Sequence, residues 1–309
     1  MSMKISFVFS FRNEEENIKE LVKRVKKQVL NIKGLEYELI FVNDASTDKS
    51  EELLLTLQKT HPIILINMSR VFGTAPCVLA GFKEAQGDII VYMDSDLQDP
   101  PELISEMYDK LIKGSDVVHA KRLKRGGESP FKIWLTKIAY KIINFFSDID
   151  IPENTGDFKM LSRRVVDNIL KLEEYDPFMR GLSIWVGFKQ EFVYYNRDKR
   201  FAGKSQFPLF SKNPTREFIR GLTSFSAGPL FISFMFGLIV CIISILLIIY
   251  ALITKLFGIA VPGVSGLLIA ISFFSGSILI SNGVLGIYIS KIFFQVKGRP
   301  KYIIKDIFR

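Results

Sequence analysis

Residues 88–101 read DIIVYMDSDLQDPP, an apolar run that ends in Asp94-Ser95-Asp96-Leu97-Gln98-Asp99 and is closed by Pro100-Pro101. A short run rich in β-branched residues and bounded by a polar turn predicts a buried strand, and the prolines then open a helix because the first helical turn tolerates them. The same unit repeats upstream. Lys4–Ser10 predicts a first strand, Tyr37–Asn43 a second, Ile63–Asn67 a third and Asp88–Met93 the fourth. Asn13 is expected to cap the first helix, with Glu16 three positions on and Ile18, Leu21, Val22, Val25 and Val29 on one face. Strands alternating with helices predict an α/β domain with a mostly parallel sheet.

Ligands of such sheets bind beyond the carboxyl ends of the strands, where Asp44 and Asp94 fall. Asp94 and Asp96, with the Gln98 amide oxygen two residues on, form a hard oxygen set suited to Mg²⁺ or Mn²⁺ carrying a diphosphate. A short acidic turn is by itself common. Its position at a strand end, and a second acidic loop at 42–48 (VNDASTD), favour metal binding.

The C-terminal part has a different composition. Residues 221–254 carry no charge, and after Lys255 neither do residues 256–290, so each run is long enough to cross a bilayer. Residues 1–220 hold 34 basic and 31 acidic side chains, whereas 221–309 hold 7 basic and the single acid Asp306, which puts 6 of the 9 net positive charges in the tail. Lys291, Lys297, Arg299, Lys301 and Lys305 follow the second run, and Arg216 and Arg220 precede the first. The bias of Lys and Arg toward cytoplasmic flanks predicts a plasma-membrane protein with both termini and the α/β domain in the cytoplasm. The expected divisions are a catalytic domain at 1–212, a juxtamembrane helix at 213–228, spans at 229–254 and 264–290, and a basic tail at 291–309. Pro130 to Ser147 sets Phe131, Trp134, Leu135, Ile138, Ile142, Phe145 and Phe146 at helical spacing, with lysines on other faces, which predicts an interfacial helix at about 130–147. An ordinary core-facing helix gives the same pattern. Cys77 and Cys241 alone provide no disulfide or metal framework.

The chain resembles the family 2, GT-A type glycosyltransferases that act on polyprenyl phosphates. The residues that carry the resemblance are Asn13-Glu14-Glu15, the 42–48 loop, Ser69-Arg70 with Phe72-Gly73, Ala80-Gly81, Asp94 to Pro101, Gly156 to Met160 with Ser162-Arg163, Arg180-Gly181 with Trp185 to Phe188, and Arg200 with Gly203-Lys204-Ser205. The resemblance implies a Rossmann-like GT-A domain that moves one sugar, with inversion, from a nucleotide diphosphate sugar such as a UDP-hexose to undecaprenyl phosphate. Asp94, Asp96 and Gln98 would hold the metal. Asn13, Glu15, Asp44, Asp94 and Ser95 would meet the nucleotide sugar, and Asp157 would be the acceptor-side catalytic carboxylate, with Gly156 permitting an unusual turn beside it. Arg122, Arg125, Arg200 and Lys204 are the expected ligands of the lipid phosphate or diphosphate, because guanidinium groups suit bidentate phosphate contact.

Relatives with such a hairpin can assemble as tetramers, so the resemblance also allows a homo-oligomer. The basic clusters are better explained by anionic lipid than by nucleic acid, given the adjacent spans. Two other readings fit the residues: a membrane glycosyltransferase using a different lipid or a glycan acceptor, and a non-catalytic nucleotide-binding membrane partner.

Overall fold

The computed structural model describes residues 3–32, 34–125, 130–197, 201, 212–257 and 263–309. They form two units: Met1–Phe145, Ile149–Ser224 and Pro300–Arg309 make the first, Phe146–Asp148 and Phe225–Arg299 the second.

The first unit is built on β1 (Met3–Phe11), β2 (Leu35–Asn43), β3 (Ile63–Met68), β4 (Ile89–Tyr92), β5 (Val117–Arg125), β6 (Thr155–Ser162), β7 (Gln190–Arg197) and β8 (Ile304–Phe308). Across the sheet their order is β7-β5-β6-β4-β1-β2-β3-β8. The pairs β1–β2, β1–β4, β2–β3 and β5–β7 are parallel, whereas β6 runs antiparallel to β4 and β5, and β8 to β3. The helices of this unit are α1 (Glu15–Leu30), α2 (Ser50–Gln58), α3 (Thr74–Glu84), α4 (Ile104–Ile112), α5 (Pro130–Phe146), α6 (Arg163–Lys171), α7 (Met179–Trp185) and α8 (Lys212–Ser224). Because helices cover both faces, the central strands are apolar on both sides, and Ile5, Phe7, Val8 and Phe9 are all fully buried. Phe9 stacks on Phe41 at 4.7 Å, in a core closed by Ile18, Leu21 and Val25 of α1. The predicted first four strands are present with their ends shifted by a residue or two.

Two local expectations change. Asn13 does not cap α1, whose N-cap is Glu14 with no side-chain cap. Asn13 instead adopts a left-handed φ of 57° and turns its Oδ1 to accept from the Thr47 N–H at 2.8 Å. Asparagine tolerates that conformation because its short side chain bonds locally. The segment 291–309, expected as a tail, contains the end of a long helix and then β8. Asp306 sits opposite Asn67, and Ser69 N–H donates to the Ile303 carbonyl at 3.0 Å.

The second unit contains α9 (Gly228–Leu256) and α10 (Val264–Val296). Gly228–Leu247 and Phe273–Val296 have mean hydropathies of 2.9 and 1.6 and are 0% and 6% buried, so both are candidate membrane spans by length and composition. The unit's internal polar contacts include Ser233 Oγ to Ser281 Oγ and Tyr288 Oη to the Ser226 carbonyl, each at 2.8 Å.

Candidate active site

The order β3-β2-β1-β4 makes β1 the point where strand order reverses, and three loops converge at its carboxyl end. After β1, Asn13 N–H donates to Ser46 Oγ at 3.0 Å, and Glu15 Oε2 accepts from the Lys49 N–H at 2.8 Å. Glu15 N–H donates back to Asp48 Oδ2 at 3.2 Å. Asn13 and Glu15, expected at the nucleotide, therefore also latch the β1 and β2 loops together. Asp44 is buried after β2 and accepts from the N–H groups of Phe72 (2.6 Å) and Gly73 (3.0 Å). Gly73, at φ 94° and ψ 172°, occupies a backbone conformation that only glycine holds without strain. A carboxylate offers about four lone-pair sites, so Asp44 keeps acceptor capacity for a ligand.

The loop after β4 carries Asp94, Ser95, Asp96 and Gln98. Ser95 Oγ donates to the Ser10 carbonyl at 3.4 Å, and Asp96 Oδ1 accepts from the Gln98 N–H at 3.2 Å. Desolvation, followed by the charges of Asp157, Asp96 and Asp99, pushes Asp94 well above the ordinary carboxylate range. Asp96 and Asp157 thus both act electrostatically on Asp94 at one end of the sheet. Among the described residues no three His, Cys, Asp or Glu side chains form a closed metal cage. The donor set nevertheless fits Mg²⁺ or Mn²⁺, which is typically held by one or two carboxylates with substrate phosphates and waters completing the shell.

Asp157 lies on β6, and Arg180 of α7 grips it with two nearly parallel bonds, Nη2 to Oδ2 at 2.7 Å and Nε to Oδ1 at 3.1 Å. Desolvation pushes Asp157 up, but the charge and hydrogen bonds of Arg180, with Lys159 and Arg122 further off, bring it down to about 2. Lys159, two residues along the same face of β6, is buried and donates to Ser183 Oγ at 2.7 Å. Its burial lowers it to about 8 despite the pull of Asp157.

The structure assigns other partners to several expected residues. Arg122 donates to both oxygens of the buried Asp99, each at 3.2 Å, and to Tyr195 Oη at 3.0 Å. Gly156 makes no left-handed turn; that conformation belongs to Asn154, at φ 64°. A side chain at Gly156 would meet the Arg122 guanidinium at 2.6 Å, so the glycine provides space. Arg125 ends β5, while Arg200 and Lys204 lie outside the described residues. Arg180, Lys159, Asp99 and Tyr195 were given no role from the sequence. Arg180, Lys159 and Asp99 fall within stretches that carry the family resemblance, whereas Tyr195 does not. On α5, Tyr140 and Ile143 are buried and Trp134, Leu135, Ile142 and Phe145 are exposed, so the helix has an apolar outer face.

The glycosyl transferase family 2 model matches residues 6–170. An uncharacterized glycosyltransferase of Synechocystis, sll0501, is 38% identical, covering 99% of this chain and 96% of its own length. YkcC of Bacillus subtilis, also an uncharacterized glycosyltransferase, is 41% identical over 97% of this chain and 93% of its own. The bactoprenol glucosyl transferase of Shigella phage SfII is 40% identical over 99% of both chains. With a GT-A-like α/β sheet, acidic loops gathered at its switch point and relatives matched over nearly their whole length, the chain belongs to glycosyl transferase family 2.

Proposed function

We propose that this glycosyltransferase moves one glycosyl group from a nucleotide diphosphate sugar to the phosphate of a long isoprenoid lipid of the undecaprenyl type, at a membrane surface. The observation that carries this is the end-to-end similarity, at 40% identity, to a bactoprenol glucosyl transferase. A divalent ion held by Asp94, Asp96 and Gln98 would supply positive charge to the departing diphosphate oxygens. Asp44 accepts a ring N–H of the base, and Glu15, with Oε1 remaining, accepts a ribose hydroxyl. The acceptor phosphate approaches the anomeric carbon opposite the leaving group, so the configuration inverts. Asp157 stays ionised and, held by Arg180, orients the sugar. A phosphate monoester with a second pKa of about 6 is largely ionised at neutral pH and needs no general base.

Two features support a membrane setting. The two candidate spans are long, apolar and nearly unburied. The chain leaves the sheet unit after α8 and rejoins it as β8, which argues that both ends of the hairpin lie on one side of the bilayer. The basic residues from Lys291 to Lys305 favour the cytoplasm for that side. Assembly as a homo-oligomer belongs to the same reading.

The test supplies the purified chain with radiolabelled nucleotide sugars, Mn²⁺ and one of three acceptors. Label should enter the organic phase with undecaprenyl phosphate and stay in water with undecaprenol or diacylglycerol. Label on diacylglycerol alone would overturn the proposal.

The pH dependence follows from the pairing of Asp157. Its folded pKa lies below the unfolded value of about 3.9, so the pairing stabilises the fold above that value and is lost as pH falls toward 2. Between pH 5 and 9 the group therefore does not change charge. An acid limb in kcat/KM near pH ~6, from the acceptor phosphate, should persist in the residual turnover of Asp157→Asn. Its disappearance in that variant would make Asp157 a titrating base.

A further inference from the structure

Arg122 has a structural environment that a phosphate ligand would not require. Two irregularities in β5 bracket it: the register with β6 shifts between His119 and Lys121, and the register with β7 shifts between Arg122 and Lys124. Bulges near active sites commonly re-aim a side chain. Here the guanidinium lies over Gly156 and reaches Asp99, the last residue before the prolines, which is 1% exposed. Tyr195, opposite Arg122 in the β5–β7 register, closes a triangle by donating its hydroxyl to Asp99 Oδ1 and accepting from Arg122 Nε. Arg122 N–H also donates to the Asn154 carbonyl at 3.0 Å.

The loop that ends at Asp99 needs such an anchor. Leu97, between Asp96 and Gln98, is buried at a left-handed φ of 58°. A branched residue persists there only when its surroundings over-determine it. At its other end the loop is fixed to the sheet, where Met93 N–H donates to the Val8 carbonyl at 3.3 Å.

We infer that Asp99, Arg122 and Tyr195, with the space left by Gly156, form a clamp that holds the Asp94–Gln98 loop in its metal-binding shape, so that Arg122 is a positioning residue. This rests on the metal-dependent reading above. Gly156 and Tyr195 thereby acquire roles: one leaves room for the guanidinium, and the other fixes its orientation.

Mn²⁺ titration of the detergent-purified full chain with a nucleoside diphosphate, followed by the EPR signal of the free ion, tests the clamp independently of turnover. Arg122→Gln, Gly156→Ala and Tyr195→Phe should each weaken Mn²⁺ binding by about ten- to a hundredfold, as loss of an outer support does. The double variant Arg122→Gln/Gly156→Ala should bind no more weakly than Arg122→Gln, because the glycine matters only while a guanidinium fills its space. Thermal unfolding of each variant checks the fold, and Tyr195→Phe, which removes a single oxygen, serves where the larger changes unfold the chain.

Native Mn²⁺ affinity in Arg122→Gln, or losses that multiply in the double variant, would overturn the clamp. A defect confined to the KM for the isoprenyl phosphate would make Arg122 an acceptor ligand instead. A native chain that takes up no Mn²⁺ with the nucleotide would overturn the metal reading and the clamp with it.

Discussion

Replacing Asp96 with alanine should lower kcat/KM by at least about a hundredfold, the loss typical of removing one group that stabilises charge developing in a transition state. Asp96 Oδ1 accepts from the Gln98 N–H at 3.2 Å, which places its carboxylate and the Gln98 amide in one turn of the loop that would hold the ion. Burial, followed by the like charges of Asp157, Asp96 and Asp99, pushes Asp94 well above the ordinary carboxylate range. A divalent cation reverses that balance by favouring the ionised form. Mn²⁺ uptake should therefore release protons and be weaker in acid, with Asp96→Ala losing both uptake and turnover. Calorimetry in two buffers of different ionisation enthalpy measures the released protons. Unchanged turnover in Asp96→Ala would remove the metal role of this loop.

The second large effect concerns the Asp157–Arg180 pair. Changing Arg180 to methionine strips the Asp157 carboxylate of its bidentate partner and leaves only the weaker pull of Lys159 and Arg122, and breaking a buried pair in this way costs about 3–5 kcal/mol. The two side chains are 33% and 16% exposed, so the low end, about 3 kcal/mol, applies. In a domain of this size that lowers Tm by about 6–12 °C. Turnover should fall by about a hundredfold, because a carboxylate displaced by an ångström no longer orients the sugar. Adding Asp157→Asn removes the stranded charge, so the double variant should regain much of the lost Tm while staying inactive. A double variant as unstable as Arg180→Met would show that the loss comes from packing. Recovery of activity would exclude Asp157 from the site.

How much of this was legible in the sequence depended on how local the signal was. β1 to β4 are buried on both faces and read as apolar runs between polar turns, so the strands and the acidic loops after them followed from periodicity, whereas their order across the sheet did not. The two uncharged runs were equally plain. β6 was harder, because it carries Asp157 and Lys159 on one face and Phe158 and Met160 in the core, a pattern set by the site rather than by solvent. β8 was illegible, since Asp306 pairs with Asn67 across two long helices and no window sees both.

The site divides in the same way. Asp94, Asp96 and Asp44 follow strands and announce themselves by position. The partners of Asp157 and Asp99 come from far along the chain: Arg180 is 23 residues from Asp157, and Tyr195 is 96 from Asp99. A single arginine looks the same whether it will hold a substrate phosphate or an internal carboxylate. For Arg122 the structure gives the internal carboxylate, and the clue in the sequence, Gly156, reads more naturally as a turn.

Glycosyl transfer to a lipid phosphate breaks the bond between the anomeric carbon and the diphosphate, so its products are a nucleoside diphosphate and a lipid phosphodiester. Phosphorus NMR of a reaction containing the full chain, undecaprenyl phosphate and the active nucleotide sugar follows every phosphorus atom at once. The expected result is loss of the lipid monoester signal with matching growth of a phosphodiester and of nucleoside diphosphate. Nucleoside monophosphate together with a lipid diphosphate would contradict it, because the bond broken would then lie within the diphosphate and not at the sugar.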